Sequence, residues 1–159
     1  MENDISEIFR RHVKAVYRLC YSYLGNAADA EDATQATFMK LVTRPREFND
    51  FEHEKAWLLA CAANVCKDEL KSARRKTQAD MPEDVADSHP GVQVEPSDVM
   101  EALLALPADL KDCVYLHYYE GYKTDEIAQM TGAAPSTVRN RLSDARAKLR
   151  KALDPSFGQ

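Results

Sequence analysis

The feature that most constrains this chain of 159 residues is a stretch near its middle that cannot build a core. Residues 77–96 hold Pro82, Pro90, Gly91 and Pro96 and show no periodic apolar pattern, so the segment reads as a linker free to move. A single domain cannot grow through such a segment. The chain therefore reads as two small domains, residues 1–76 and 97–153, joined by an acidic linker at 77–96. Hydrophobic residues make up 45% of the chain, enough for each domain to bury a core. No run approaches the roughly 18 apolar residues that would span a bilayer. The N-terminus, Met1-Glu2-Asn3-Asp4-Ile5, is acidic and amphipathic from the start, unlike a secretory leader, which points to a cytoplasmic protein.

The same segment changes the meaning of the charge. A net charge of −5 argues at first against a nucleic-acid partner. Between Thr77 and Met100, however, stand Asp80, Glu83, Asp84, Asp87, Glu95 and Asp98 with no Lys or Arg. Removing these six from the 26 acidic residues leaves 20 against 21 basic ones. Basic residues then concentrate at Lys67–Lys76 and Arg139–Lys151, and local clusters govern phosphate contact more than the total does.

Each half reads as helical, and no segment alternates as a strand would, which makes the fold all-α. Ile5, Ile8, Phe9, Val13, Val16, Cys20, Tyr23 and Leu24 form one apolar face over Ile5–Leu24, opposite Arg10, Arg11, Lys14 and Arg18. Gly25-Asn26 ends that helix, and Asp29 to Asp32 place carboxylates in the first turn of a second, which runs to about Thr43 with Phe38, Leu41 and Val42 as its apolar edge. Pro45 breaks it, Arg44 to Glu54 read as a polar loop, and a third helix is expected from about Lys55. That helix is apolar nearly all round from Ala56 to Ala63 and basic beyond Asn64. In the second half, Ser97–Leu106 forms a short helix, Pro107 opens the next, Thr124 caps a third closed by Gly132, and Pro135 opens the last.

Lys123–Arg150 has helix-turn-helix spacing. Val138, Leu142, Ala145 and Leu149 make a packing stripe on its last helix. Ser136, Arg139, Asn140, Ser143 and Arg146 fall on or near the free face, where Arg and Asn can bond two base-edge atoms at once. Lys148, Arg150 and Lys151 suit phosphates. This pattern alone establishes DNA binding and no more, since repressors, activators and initiation factors all use it.

Cys20, Cys61, Cys66 and Cys113 lie in apolar stretches without C-x-x-C spacing and read as buried reduced thiols. A metal or redox site from Cys61, Cys66 and His53 is disfavoured because positions five apart do not share a helix face. His12, His53, His89 and His117 are scattered, so no catalytic residue, cofactor, metal or small-molecule substrate is expected.

The first half carries the more specific motifs. Tyr17-Arg18-Leu19-Cys20-Tyr21-Ser22-Tyr23-Leu24-Gly25, then the D-A-E-D-x-x-Q-x-x-F pattern from Asp29 to Phe38, then Ala56-Trp57-Leu58 to Asn64 and Arg74-Arg75 occur in this order. Tyr122 to Ala128 and Ser136 to Leu142 follow in the second half. On these residues the chain resembles the extracytoplasmic-function sigma factors of the sigma-70 family, over nearly all of its length except the linker and the last residues. The resemblance implies an alternative sigma factor that binds core RNA polymerase and directs initiation at stringent promoters. It implies that Asp29, Glu31, Asp32, Gln35 and Met39 dock on the clamp helices of the β′ subunit. Phe48, Phe51, Asn64, Lys67, Lys71, Arg74 and Arg75 would meet the −10 element, with Asn64 reading a base edge. Ser136, Thr137, Arg139, Asn140, Ser143, Arg146, Lys148 and Arg150 would meet the −35 element, with the β flap as a further contact of the second domain. An anti-sigma partner is implied as well. Asp144 departs from the family pattern, where several members carry a basic residue. It either selects among −35 sequences or pairs with Lys148 four residues on. A conventional helix-turn-helix regulator would leave the D-A-E-D-x-x-Q-x-x-F helix unexplained.

Overall fold

The computed structural model of the chain describes residues 4–76 and 98–153, so the linker expected at 77–96 lies outside the described residues. Every regular element among the described residues is helical. The chain divides into two compact units, Met1–Val94 and Glu95–Gln159.

The first unit packs α1 (Ile5–Leu24), α2 (Ala27–Thr43) and α3 (Phe51–Lys76) pairwise against one another. The Asp4 carboxylate caps α1 by accepting the Ser6 N–H at 3.1 Å. Gly25, at φ 79°, ends α1 in the left-handed conformation that lets the chain reverse into α2. Asn26 caps α2 by accepting the Asp29 N–H at 2.8 Å. The face α2 turns inward is made of small residues, Ala27, Ala30 and Ala33, with Thr34 and Thr37, whose buried hydroxyls donate to the carbonyls of Ala30 and Ala33. These side chains let α2 approach closely while the Thr34 and Thr37 hydroxyls stay matched. Val16, Leu19, Leu58 and Leu59 complete the core, each fully buried and each contributing about 2 kcal/mol by leaving water.

Three expectations for this unit need correction. The third helix begins at Phe51, not near Lys55, because Asp50 caps it: its carboxylate accepts the His53 N–H at 2.8 Å and its carbonyl the Glu54 N–H. The loop is correspondingly short. Phe9 and Val42, placed by their spacing on the apolar face of the first helix and the apolar edge of the second, are 38% and 47% exposed, because both stand at the edges of their helices' apolar stripes. Trp57 and Cys61 are only half-buried, so α3 is less evenly enclosed than its composition suggests.

The second unit packs α4 (Asp98–Leu104), α5 (Ala108–Val114) and α6 (Thr124–Thr131) around α7 (Pro135–Leu153). Pro107 stands one position before α5, as its N-cap, and does not form its first residue. Lys123, not Thr124, is the N-cap of α6, with its N–H held by the Glu126 carboxylate at 2.8 Å. Tyr115–Tyr119 form a π-helical turn at the end of α5, with the Glu120 N–H reaching back to the Tyr115 carbonyl. The following turn is pinned by the Tyr122 N–H on the Leu116 carbonyl at 2.9 Å and by His117 Nδ1–H on the Tyr122 carbonyl at 2.9 Å.

Candidate polymerase and promoter interfaces

Position 29 begins a line of residues at helical spacing along the outer side of α2. Asp29, Asp32, Gln35 and Met39 are exposed and Glu31 is half-exposed, opposite the alanine and threonine face that packs inward. The Asn26 amide holds the Asp29 carboxylate at 2.8 Å, and the Gln35 amide reaches Glu31 at 3.5 Å. The face thus offers carboxylates, an amide and one thioether, suited to a partner with basic and polar groups around an apolar ridge. Met39 also borders a cleft of about 500 Å³ between α1 and α2, which Phe9, Phe38, Val42 and Gln35 line. Phe9 packs edge-on against Phe38 at 4.9 Å between ring centroids. Phe9 and Val42 belong to this face by position, and sequence reading placed them on the apolar sides of their helices without a role at the interface. Their place at the margin of the apolar stripe was the one available signal.

Seven residues implied for the −10 element divide by position. Phe48 turns inward, 7% exposed, and packs on His53 at 5.3 Å and Trp57 at 5.9 Å, where Arg46 lies 5.2 Å over the Trp57 ring. Phe51, at the first position of α3, is 51% exposed. Asn64 and Lys71 are exposed and Lys67 is half-exposed along α3. Arg74 and Arg75 belong to the last turn of α3, and their side chains lie outside the described residues.

Beneath Phe51 sits a charged cluster that sequence reading missed. Glu54, expected in a polar loop, is fully buried. Its Oε1 accepts from Arg11 Nη1 at 2.5 Å and from His12 Nε2 at 2.7 Å, both on α1. Burial lowers the His12 pKa, against the raising effect of the Glu54 bond and charge, so His12 donates as a neutral imidazole.

In the second unit Val138, Leu142 and Ala145 are buried and Leu149 half-buried, which turns Ser136, Arg139, Asn140, Ser143, Arg146, Lys148 and Arg150 to the exposed side of α7, with Thr137 half-exposed. Gly132, at φ 77°, and Ala133-Ala134 set the turn between α6 and α7. Asp144 is exposed and makes no ion pair with Lys148, which overturns the pairing considered for it. At this exposure such a pair would have added only a few tenths of a kcal/mol.

Cys20, Cys66 and Cys113 are buried. Burial, followed by the neighbouring Asp112 carboxylate, pushes the Cys113 thiol up to about 11, while Arg141 pulls the other way. Among the described residues, no cluster of three His, Cys, Asp or Glu is arranged to hold a metal ion. No helix among them is long and apolar enough to cross a membrane.

Residues 8–76 match the family model for sigma-70 region 2, and residues 97–149 that for sigma-70, region 4. The chain belongs to the extracytoplasmic-function sigma factors. Among the relatives of this sigma factor is the ECF RNA polymerase sigma factor SigE of Mycolicibacterium smegmatis, 32% identical over 92% of the chain and 60% of the relative. The ECF RNA polymerase sigma factor SigL of Mycobacterium tuberculosis is 29% identical over 92% of the chain and 86% of the relative. The fold is shared with the sigma factor RpoE of Bartonella quintana, solved in complex with the anti-sigma factor NepR, at a TM-score of 0.77 and 24% identity, covering 99% of this chain and 100% of that one. α2 and its outer face lie in the region 2 match, and α6 and α7 as far as Leu149 in the region 4 match.

Proposed function

We propose that this sigma factor binds core RNA polymerase through the outer face of α2 and carries the enzyme to promoters that it reads with both units. The observation that carries this reading is the exposed Asp29, Asp32, Gln35 and Met39 line on the region 2 unit, for which a DNA-binding domain by itself has no use. Asp29, Glu31, Asp32 and Gln35 would bond the β′ clamp helices, with Met39 and the adjoining Phe9 and Val42 supplying apolar area.

The −10 element would meet the start of α3 and its outer side. Phe51 offers an exposed ring against an unstacked base, Asn64 an amide for a base edge, and Lys67, Lys71, Arg74 and Arg75 cations along the strand. Phe48 would serve from behind, holding the loop against Trp57. On α7, Arg139, Asn140 and Arg146 would reach base edges of the −35 element. Ser136, Thr137, Ser143, Lys148 and Arg150 would bond phosphates or flank the contact. The second unit would also touch the β flap. An anti-sigma factor is the fitting regulator, as NepR is for RpoE of Bartonella quintana, and the work would be done in the cytoplasm beside the polymerase.

Run-off transcription with purified core polymerase tests the reading: promoter-specific transcripts should depend on the added protein. Asp32→Ala with Gln35→Ala should weaken core binding about tenfold, an effect of two lost interface bonds, while full-length protein keeps its affinity for a −35 duplex. Operator binding with no affinity for core would sink it.

A further inference from the structure

The contact between α1 and the start of α3 does more than close the core. Arg11 makes two bonds of different kinds. Its Nη1 donates to Oε1 of the fully buried Glu54, and its guanidinium carbon lies over the Phe51 ring, 3.9 Å from the centroid. Phe51 is half in water, whereas the Arg11 side chain is 22% exposed. A ring at the first position of a helix, with one face open to solvent, has several rotamers of similar energy. A planar cation stacked on its other face and anchored from behind to a carboxylate selects one of them. The anchor is itself fixed, because His12 holds the same Glu54 oxygen at 2.7 Å. On the inner side the loop is fixed independently by Phe48 on Trp57 and by the Asn49 N–H on His53 Nδ1 at 3.2 Å. The backbone of the loop therefore does not depend on Arg11, and the pose of the Phe51 ring does.

We infer that Arg11, anchored by Glu54, is a positioning residue for −10 element recognition: it holds the Phe51 ring in the orientation that meets an unstacked base, and so sets promoter stringency from α1, a helix that carries none of the residues assigned to the −10 element. The inference rests on the reading that Phe51 faces the −10 element. Lysine at position 11 would keep the charge beside Glu54 but lose the flat guanidinium. Arg11→Lys therefore separates ring positioning from fold stability. Arg11→Met with Glu54→Gln removes both charges together and avoids stranding a buried carboxylate.

The test is transcription of a promoter library randomised at both elements by holoenzyme reconstituted with full-length protein, with the transcripts sequenced. Wild-type protein should show a preference at both elements. Arg11→Lys and the double variant should relax the −10 preference roughly three- to tenfold, the span that a partly exposed cation–π contact can hold, with the −35 preference unchanged. A variant that merely folded poorly would lower transcript yield without altering either preference. Phe51→Ala is run beside them. If Phe51→Ala relaxes the −10 preference while both position-11 variants keep it, the positioning role is wrong. If Phe51→Ala itself leaves the −10 preference intact, the reading of Phe51 falls and the inference falls with it.

Discussion

In the first unit a side-chain bond from Arg11 to Glu54 spans 43 positions and ties α1 to the first turn of α3, whereas the bonds that shape the second unit's turns join near neighbours. Lys123 to Glu126, His117 to Tyr122 and Tyr122 to Leu116 all act within six positions. The difference follows from element length. Helices of 20, 17 and 26 residues can be tied to one another only by long-range packing. Pieces of 7, 7, 5 and 8 residues depend on caps and on Gly121 and Gly132, at φ 80° and 77°, to be presented to α7 at all. One unit is organised from afar and the other locally, so substitutions should register differently in the two.

The largest expected effect is in the first core. Leu58→Ala removes a fully buried side chain and should cost about 3 kcal/mol. Denaturant unfolding followed by amide exchange should find that loss in α1–α3, with protection in α4–α7 unchanged. An equal loss in both units would mean that they share one cooperative transition. Next, Arg139→Ala should cost about 2 kcal/mol in binding a −35 duplex while leaving the melting of α7 as it was. Unchanged DNA affinity would remove Arg139 from the reading face.

The local character of the second unit predicts a smaller effect at its turn. A Cβ added at Gly132 meets nothing within 4 Å, so Gly132→Ala carries only the backbone strain of φ 77°, about 1 kcal/mol. A much greater loss, measured by thermal unfolding, would show that the turn supports packing as well as direction. The smallest effect concerns pH. His12, beside Glu54, Arg11 and Lys55, has its pKa lowered by burial, so the unfolded chain takes up this proton first as pH falls. Stability should therefore fall as pH drops below the ordinary histidine value of 6.5, toward the lower folded value, and be complete above it. Stability curves of the wild type and His12→Gln should diverge in that window, the wild type losing stability as the pH falls. Parallel curves would mean that the Glu54 bond cancels the cost of burial.

Much of this architecture was legible from spacing. Val138, Leu142 and Ala145 are buried as their four- and three-residue steps demand, and the line from Asp29 to Met39 is exposed because Ala30, Ala33, Thr34 and Thr37 claim the opposite side of the same helix. The start of α3 was misread because Pro45 and the polar residues after it hid the Asp50 cap, although an acid at the cap with Glu52 and Glu54 in the first turn was a usable sign. The exposure of Phe9 and Val42 was missed for another reason. Periodicity gives a helix's apolar side but not how far the neighbouring helices cover its edges.

Most helix positions and the free face of α7 depend on residues three or four apart and on prolines and glycines, so they are written locally and can be read without a fold. The burial of Glu54 under Arg11 and His12, the inward turn of Phe48 and the unpaired state of Asp144 depend on what another helix, or the next turn of the same one, brings within reach. A carboxylate four positions into a helix looks the same in sequence whether it faces water or an arginine 43 residues away. Only packing tells the two apart, because the desolvation of a charge and the partner that offsets it are both properties of the assembled helices.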